Sequence, residues 1–407
     1  MSARRFLVRF AANALLVLVA TLVALVLGEI GLRLAGISYP VFDDLDATRG
    51  IALRPGKEGW YRMEGAGYLK INSLGYRDVE HELTKPPGTF RIAVLGDSFA
   101  EARQVDLKDT FWHLLGEDLG SCPALGGKRV EVFNFGIGGY ATTEELLTLR
   151  KDALRFAPDL VLLAFFAGND VHDNSRELGA TAAWRSPRPV HYLDHGRLVL
   201  DPSYHPSLSR RLLYEGVQHL RLLEVVNEVR RIWTVRMIRA SAGANQDHIE
   251  LGTASDIYAP PADPAWQEAW LVTEALLARM NEEARAGGAR FVLATITMSE
   301  QVHPDPAVRR ELEQRPEIKD LLYPDHRIAE IGRQHGFPVI NLAERLREVA
   351  SRDGVYLHGF KNTVMGQGHW NEAGHRLAGK LMSDDLCELL SAPAPAVAAN
   401  AVVSKSR

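Results

Sequence analysis

The chain has 407 residues, of which 46% are hydrophobic and 24% charged, a balance typical of a globular protein with a sizeable core. This length allows one large domain or two small ones. The formal net charge is -4 and no basic stripe stands out, so nothing in the electrostatics indicates nucleic acid as a partner. The sequence shows no metal-ligand spacing and no cofactor motif, and we expect neither group.

The N-terminus predicts a membrane anchor over residues 1–30. Arg4, Arg5 and Arg9 come before an uncharged run from Phe10 to Leu27, which at about 1.5 Å per residue nearly spans a hydrocarbon core of about 30 Å. No small-residue cleavage site follows the run, which favours an uncleaved anchor, with secretion after signal cleavage as the alternative. The arginines hold their end in the cytoplasm. We therefore expect a single-pass protein of the bacterial inner membrane with its main domain in the periplasm.

The rest of the chain has the pattern of an α/β domain. Residues 31–88 lack a long periodic segment and are interpreted as a linker and N-terminal extension, and the main domain is predicted at 89–390. Amphipathic helical stretches alternate with apolar runs, which predicts a parallel sheet covered on both faces. The predicted strands are Arg91–Leu95, Val130–Phe135, Leu160–Phe165, Arg290–Thr297 and Pro338–Leu342.

Two further segments differ from this alternation. Residues from about 171 to 264 separate the third and fourth predicted strands, and a structureless loop of that length is improbable, so we expect an inserted helical cap. Residues 391–407 are rich in Ala, Pro and Ser and are expected to be disordered.

Polar and glycine residues follow each predicted strand. Ligands of open α/β sheets bind beyond the carboxyl ends of the strands, so these stretches are the candidates for a site. Each stretch is a weak signal alone, but a hydrolytic site would need them to converge on one edge. They are "GDS" with Ser98, "NFGIGGYAT" with Gly139, "AGND" with Asn169, "MSEQVHPD" with His303, and "GQGHWNEAGH" with His369 near the C-terminus.

This set, in this chain order, resembles the SGNH (GDSL-type) hydrolase family. Ser98 matches the family's nucleophile, Gly139 and Asn169 match its oxyanion glycine and asparagine, and His369 matches its catalytic histidine. The flanking "LGYRD", "TFRIAVLGDSF" and "GHWNEAGH" are similar to membrane-anchored bacterial members. The resemblance covers roughly residues 91–390 except the insertion. It implies a three-layer α/β/α fold of flavodoxin-like type around a central parallel sheet.

The resemblance also implies acyl transfer. Ser98 Oγ would attack an ester carbonyl while His369 takes its proton. The backbone N–H groups of Ser98 and Gly139, with the Asn169 amide, would bind the developing oxyanion. His303 could contact the substrate, although a solvated loop histidine is an equal alternative. Asp97 and Asp170 are expected to be turn residues that bond nearby backbone N–H groups.

One departure concerns the third catalytic group. The family usually has Asp two or three residues before the histidine, where this chain has Gln367 and Gly366. Gln367 or a backbone carbonyl could orient His369, and an acid from elsewhere in the chain is also open. We expect a Ser98–His369 dyad of low turnover.

Three functions remain open from the sequence. The first is an esterase acting on acyl groups, including acetyl groups on envelope carbohydrate, and the second is acyl transfer to a sugar hydroxyl by the same acyl-enzyme. The third is a non-catalytic carbohydrate-binding protein that kept the fold, which the missing Asp supports. The expected partners are an acylated small molecule or glycan and the membrane, and the oligomeric state stays open.

The two cysteines, Cys122 and Cys387, also leave two alternatives. An oxidising compartment permits a disulfide between them, and two reduced, buried cysteines are the other outcome. By the family resemblance, the helix that carries Cys387 would pack beside the helix "TFWHLLGEDL" just before Cys122.

Overall fold

A computed structural model of the chain describes residues 3–181, 188–201, 203–241 and 254–392. The α-helices are α1 Ala3–Leu34, α2 Ser98–Glu101, α3 Phe111–Leu119, α4 Thr142–Lys151, α5 Ala167–Asn174, α6 Arg176–Thr181, α7 Leu208–His219, α8 Arg221–Ser241, α9 Pro264–Ala286, α10 Pro306–Glu313, α11 Tyr323–His335, α12 Ala343–Asp353 and α13 Glu372–Ser391. The strands are β1 Asp43–Asp46, β2 Gly50–Leu53, β3 Glu58–Tyr61, β4 Gly67–Lys70, β5 Thr89–Gly96, β6 Arg129–Asn134, β7 Leu160–Phe165, β8 His191–Asp194, β9 Arg197–Leu200, β10 Arg290–Thr295 and β11 Val339–Asn341.

The core is a five-stranded parallel sheet in the order β11-β10-β7-β5-β6. Every residue of β5 and β7 is buried, as expected for strands covered on both faces. The chain moves one way from β5 to β6 and the other way from β6 to β7, so right-handed crossovers put α3 and α4 on opposite faces. Helix α13 packs on α3, and α9 packs on α4 and α5. The predicted α/β/α fold is confirmed.

The order of the strands in the sheet determines where the candidate site lies. The first strand of the sheet, β5, lies between the second, β6, and the third, β7, which is the flavodoxin-like order with a switch point beside the first strand. The loops that leave β5, β6 and β7 therefore meet at one edge. The segments after these strands carry Ser98 on α2, Gly139 in the loop after β6, and Asn169 on α5.

The N-terminal extension is a structured part of the protein. Strands β1 and β2 form one antiparallel hairpin, and β3 and β4 form another. Leu53, Leu69 and Tyr76 from this region are buried in the main hydrophobic core. The extension therefore stabilises the main domain as well as connecting it to α1.

The segment between β7 and β10 holds α5 to α9 and the β8–β9 hairpin. Helix α5 follows β7 directly and contributes Asn169, so the start of the predicted cap belongs to the sheet edge. Residues 182–187, 202 and 242–253 of this segment lie outside the described residues. Helix α13 ends at Ser391, and of the predicted disordered tail, residues 393–407 also lie outside the described residues.

Helix α1 is long and apolar enough to cross a membrane. Its stretch Phe6–Leu34 has a mean hydropathy of 2.6, and no part of that stretch is buried against the protein. A helix of this kind is compatible with a membrane anchor or a signal sequence. Its last turns contact the insertion, because the Glu29 carboxylate accepts hydrogen bonds from the backbone N–H groups of Arg221 and Leu222, both at 3.0 Å.

Cys122 and Cys387 form a disulfide, with their Cα atoms 5.7 Å apart. This separation lies within the range that the bond requires. Cys387 lies on α13, and α13 packs on α3, which ends just before Cys122. The helix pairing that the family resemblance implied is therefore present, and the reduced alternative is not the state of this structure.

Candidate active site

Ser98 is the first residue of the short helix α2, directly after β5. Asp97 Oδ1 caps this helix by accepting a hydrogen bond from the backbone N–H of Phe99 at 2.9 Å. The cap fixes the sharp change from strand to helix. Ser98 stays partly exposed while its neighbours are buried. The expected turn role of Asp97 is confirmed.

His369 lies in the loop before α13. Asn371 caps α13 by accepting hydrogen bonds from the backbone N–H groups of Ala373 and Gly374, at 3.0 and 3.1 Å. This cap fixes the end of the loop, and His369 Nε2 lies 2.8 Å from Ser98 Oγ. The structure thus brings the two ends of the main domain together as a serine–imidazole pair.

The third member of the site is Glu64, in the loop between β3 and β4. Its Oε2 lies 2.6 Å from His369 Nδ1, and its Oε1 accepts a hydrogen bond from the backbone N–H of His369 at 2.8 Å. Of the alternatives left open for the group that orients His369, an acid from elsewhere in the chain is therefore present, rather than Gln367, and the expected two-residue dyad is corrected. Glu64 approaches so closely that a Cβ on Gly368 would lie 2.1 Å from its Oε1, so Gly368 is needed there.

The loop that carries Glu64 is held on the main domain. Asn362 Oδ1 accepts a hydrogen bond from the Gly65 backbone N–H at 2.9 Å, and Asn362 Nδ2 donates to the Gly65 carbonyl at 2.9 Å. Two bonds from one amide fix the tip of the hairpin next to its acid. Glu64 is therefore positioned by a contact that spans most of the chain.

His369 and Glu64 each shift the pKa of the other toward its charged form. Burial alone would lower the pKa of His369, but the Glu64 carboxylate and its hydrogen bond raise that pKa above its ordinary value. Burial opposes the ionisation of Glu64, yet His369 and the hydrogen bonds to the carboxylate lower the pKa of Glu64. A carboxylate only accepts hydrogen bonds, so Nδ1 carries the proton and Nε2 of the neutral ring accepts from Ser98. This is the tautomer that a general base requires.

A second histidine, His358, holds the loop that carries His369. His358 Nδ1 lies 2.6 Å from the Gly368 carbonyl, and its Nε2 lies 3.0 Å from Thr297 Oγ1. Burial lowers the pKa of His358 to about 4. The neutral ring donates from Nδ1 to the carbonyl and accepts the Thr297 hydroxyl at Nε2. His358 therefore fixes the backbone next to His369.

The loop after β6 lies beside Ser98. A Cβ placed on Gly138 would lie 3.7 Å from Ser98 Cβ. Gly139 has a φ of +83°, a conformation that favours glycine. Glu101 Oε2 accepts a hydrogen bond from the Gly138 backbone N–H at 2.6 Å, and Arg188 donates to the Gly139 carbonyl at 2.5 Å. The loop is thus held on two sides, by α2 and by the insertion.

Asn169 comes from the first turn of α5, across the switch point. Its Nδ2 donates to Asp97 Oδ2 at 3.2 Å. An amide nitrogen has two N–H donors, so this bond orients the group and leaves the second donor for another acceptor. Ser98, Gly139 and Asn169 therefore lie at one edge, as the sequence predicted.

A cluster of fully buried carboxyl groups lies behind this edge. Asp97, Glu145 and Asp170 have no exposed surface. Burial raises the pKa of Asp97 to about 6 and raises the pKa values of Glu145 and Asp170 well above their ordinary range. Asp170 Oδ2 accepts a hydrogen bond from the Phe166 backbone N–H at 2.9 Å, the turn role expected of it.

His303 lies on the flank of the histidine loop. Its ring contacts Tyr356 edge to face, with centroids 5.4 Å apart, and a Cβ on Gly366 would lie 3.3 Å from its Cδ2. Contact with a substrate stays a prediction for His303. In the described ranges, no group of three or more His, Cys, Asp or Glu residues is arranged to hold a metal ion.

Sequence reasoning missed Glu64 and Glu101 as named members of the site. The signal for Glu64 was weak: an acid in the glycine-rich turn "MEGAG" between two short aromatic stretches. Glu101 lies one helical turn after Ser98, in a position that spacing alone does not mark as functional. Its side chain faces back to the Gly138 loop.

No protein-family model and no curated protein sequence matches the chain. Among solved structures it is similar to the acetyl xylan esterase AlAXEase, with 13% identity over 73% of this chain and 100% of that one, and a TM-score of 0.37. It is similar to TesA, with 14% identity over 74% and 99% of the two chains and a TM-score of 0.37. It is also similar to the lipase/acylhydrolase from Enterococcus faecalis, with 16% identity over 75% and 100% of the chains and a TM-score of 0.36. Values this low carry no functional conclusion, so the proposal below depends on the site geometry.

Proposed function

We propose that this protein is a serine ester hydrolase of the SGNH type that works through an acyl-enzyme on Ser98. The observation that carries the proposal is the continuous hydrogen-bonded chain from Glu64 through His369 to Ser98. A nucleophile, a base and a group that orients the base are the signature of nucleophilic catalysis. The non-catalytic alternative depended on the lack of an acid next to His369, and Glu64 removes that argument.

The mechanism follows from the order of the three groups. His369 Nε2 takes the proton of Ser98 as Oγ bonds to the carbonyl carbon of the ester, and Glu64 stabilises the imidazolium. The negative charge that develops on the carbonyl oxygen would be met by the backbone N–H groups of Ser98 and Gly139 and by the Asn169 amide. The tetrahedral species then expels the alcohol, which receives the proton from His369. Water repeats the sequence on the acyl-enzyme and releases the acid and free Ser98.

Acyl transfer to a sugar hydroxyl uses the same acyl-enzyme and differs only in the acceptor. Arg188 of the insertion donates a hydrogen bond to the Gly139 carbonyl in the loop after β6. An insertion that covers the site and excludes water would favour transfer over hydrolysis. We keep transfer as the second candidate for this reason. Product analysis with and without a glycan acceptor distinguishes the two functions.

The experiment for the proposal is a fluorophosphonate probe, which reacts with activated serines, together with a panel of acyl esters that includes acetylated glycans. We expect labelling and hydrolysis by the full-length protein, and loss of both in Ser98→Ala. Labelling that persists in Ser98→Ala, or a wild-type protein that neither labels nor hydrolyses any ester, would contradict the assignment.

We further propose that α1 is retained as an inner-membrane anchor with the main domain in the periplasm. Three observations support this: the arginines on the short side of α1, a disulfide that suits an oxidising compartment, and the contacts of Glu29 with α8, which a cleaved signal peptide would lack. Alkaline carbonate extraction should leave the protein in the membrane fraction. Release of the full-length chain would argue against the anchor.

A further inference from the structure

A pocket of about 310 Å³ lies where the N-terminal extension meets the insertion. Its walls are residues 38–43, residues 60–63 of strand β3 and its loop, Arg103, and one face of α8. The α8 residues Glu224, Asn227, Glu228 and Arg231 are spaced so that they share that face. The volume is at the lower end of the range of small-molecule sites, about 300–1,000 Å³. We name this feature the seam pocket.

Two short contact paths connect the seam pocket to the catalytic groups. Its wall residue Met63 directly precedes Glu64 in the chain. On the other path, Arg103 binds Glu101, and Glu101 accepts a hydrogen bond from the Gly138 backbone N–H beside Ser98. The pocket lining does not include Ser98, so a ligand there would leave the serine uncovered. The two contact paths make the pocket a candidate subsite for a part of the substrate remote from the ester.

One side of the pocket is aromatic and open to solvent. Tyr39 and Trp60 remain 45% and 47% exposed. The Arg62 guanidinium lies over one face of the Trp60 ring, 4.8 Å from the ring centre, so a ligand would pack on the other face and meet the Arg62 N–H donors at the ring edge. Flat apolar rings flanked by donors suit a ligand with an apolar face and polar edges.

The other side of the pocket is polar, and its charges are paired. Arg103 binds Asp43, and Arg231 binds Glu228 at 2.7 Å. Glu224 accepts hydrogen bonds from Ser38 Oγ at 3.1 Å and from the Tyr39 backbone N–H at 2.9 Å. Arg103 and Arg231 thus already have carboxylate partners, and the whole lining holds three arginines and three acidic residues, so the pocket has no net formal charge to select an anion. An acyl chain in the pocket would displace water from these polar groups without offering hydrogen bonds in return, which is unfavourable.

We propose that the seam pocket binds a neutral sugar unit of the glycan that carries the ester. A sugar ring has C–H faces that pack on Tyr39 and Trp60, and hydroxyl groups that bond to the carboxylates, guanidinium groups and amide of the opposite wall. The inference rests on the proposed esterase function for its place in the reaction. The binding step itself does not depend on the chemistry at Ser98.

The kinetic test uses the full-length protein in detergent micelles and two substrates, an O-acetylated oligosaccharide and p-nitrophenyl acetate. Trp60→Ala should lower the ratio of kcat/KM for the oligosaccharide to that for p-nitrophenyl acetate about tenfold, mainly through KM. The matched control is Trp233→Ala, because Trp233 is a tryptophan on α8 that is 62% exposed and lies outside the pocket wall. The control should keep the wild-type ratio. An equal fall in both variants, or no fall in Trp60→Ala, would overturn the proposal.

The binding test uses Ser98→Ala, which cannot turn over, titrated with gluco-, manno-, galacto- and xylo-oligosaccharides with and without acetyl groups. We expect at least one series to bind and that binding to be lost when Trp60→Ala is added. Ester hydrolysis by the wild-type protein without any such binding would contradict the sugar site but not the esterase proposal. Binding without any hydrolysis would contradict the esterase proposal but not the sugar site.

Discussion

Glu64 and His369 are 305 residues apart in the chain, and Glu64 Oε2 lies 2.6 Å from His369 Nδ1. The proposed acid therefore comes from the second hairpin after α1, β3–β4, and the proposed base comes from the end of the main domain. A sheet edge built from the main domain alone would hold Ser98 and His369 without Glu64. The N-terminal extension completes the site.

Glu64→Gln tests this relationship. Turnover should fall by about 10²–10⁴, because the corresponding Asp to Asn change in serine proteases costs about 10⁴. The Glu64 charge raises the pKa of His369, so its loss lowers that pKa. Activity needs the neutral ring and is lost as the pH falls through the His369 pKa, so the acid limb of kcat/KM should move to lower pH. Glu58→Gln, exposed on the same hairpin, should leave both turnover and profile unchanged.

Gln367→Glu separates the two groups that could orient His369. The Nδ1 position is already bonded to Glu64, so a carboxylate at 367 should raise turnover by less than about twofold. Turnover on p-nitrophenyl acetate, with circular dichroism to confirm the fold, measures this. A large gain in Gln367→Glu would mean that Glu64 does not act as the acid in solution.

The predicted sheet and most of the edge residues followed from local patterns. The run Leu160–Phe165 forms a strand with the predicted bounds because an apolar run of this length between Pro158 and Gly168 fits a buried strand and is too short for a helix. The stretches that carry Ser98, Gly139 and Asn169 were found because each follows a strand and parallel strands end at the same edge, and the family resemblance singled out these three residues within them. The predicted strand Arg290–Thr297 ends two residues early, at Thr295, where its partner β11 ends.

Glu64 could not be found in this way. Its role depends on how the extension folds back over the main domain, and that contact has no period and no fixed spacing. The hairpin strands β3 and β4 are four residues each, too short to stand out in the sequence. Gln367 was named as a possible orienter because it stands where the family usually has its acid, and the open alternative of an acid from elsewhere had no pattern that could identify Glu64.

Asn169→Ala tests the oxyanion role. Loss of one such donor typically lowers kcat by about 10²–10³, with little change in KM for a small ester, because the interaction forms in the transition state. Fluorophosphonate labelling of Ser98 should slow in the same variant. An unchanged kcat in a folded Asn169→Ala protein would remove the amide from the mechanism.

The disulfide can be tested through stability. It closes a loop of 265 residues in the unfolded chain, so replacing both cysteines by serine should lower the free energy of unfolding by about 2–5 kcal/mol. Urea unfolding of the double variant measures this, and wild-type protein with a reductant should behave like the variant. Two free thiols in denatured, unreduced protein would rule out the bond.

The buried carboxyl group of Glu145 should make stability depend on pH in a specific direction. Neither of its oxygens has a hydrogen-bond partner among the described residues. Burial, with the nearby Asp97 and Glu144, raises its pKa well above the ordinary value of 4.5. The folded carboxyl group therefore keeps a proton that the unfolded chain releases above pH 4.5. Its contribution is fully present below that pH and is lost as the pH rises through the folded-state pKa.

Glu145→Gln has nearly the same shape and never ionises, so it removes this loss. In a urea series, the free energy of unfolding of the variant, relative to wild type, should increase as the pH rises above 4.5 and level off above the folded-state pKa of Glu145. Glu282→Gln is the control, because Glu282 is an exposed glutamate on α9; its difference from wild type should stay small at every pH. A Glu145→Gln difference that does not change with pH would mean that the pKa of Glu145 is the same in the folded and unfolded protein, and a difference that falls as the pH rises would mean that folding lowers this pKa. In either case the Glu145 carboxyl group would carry charge at neutral pH.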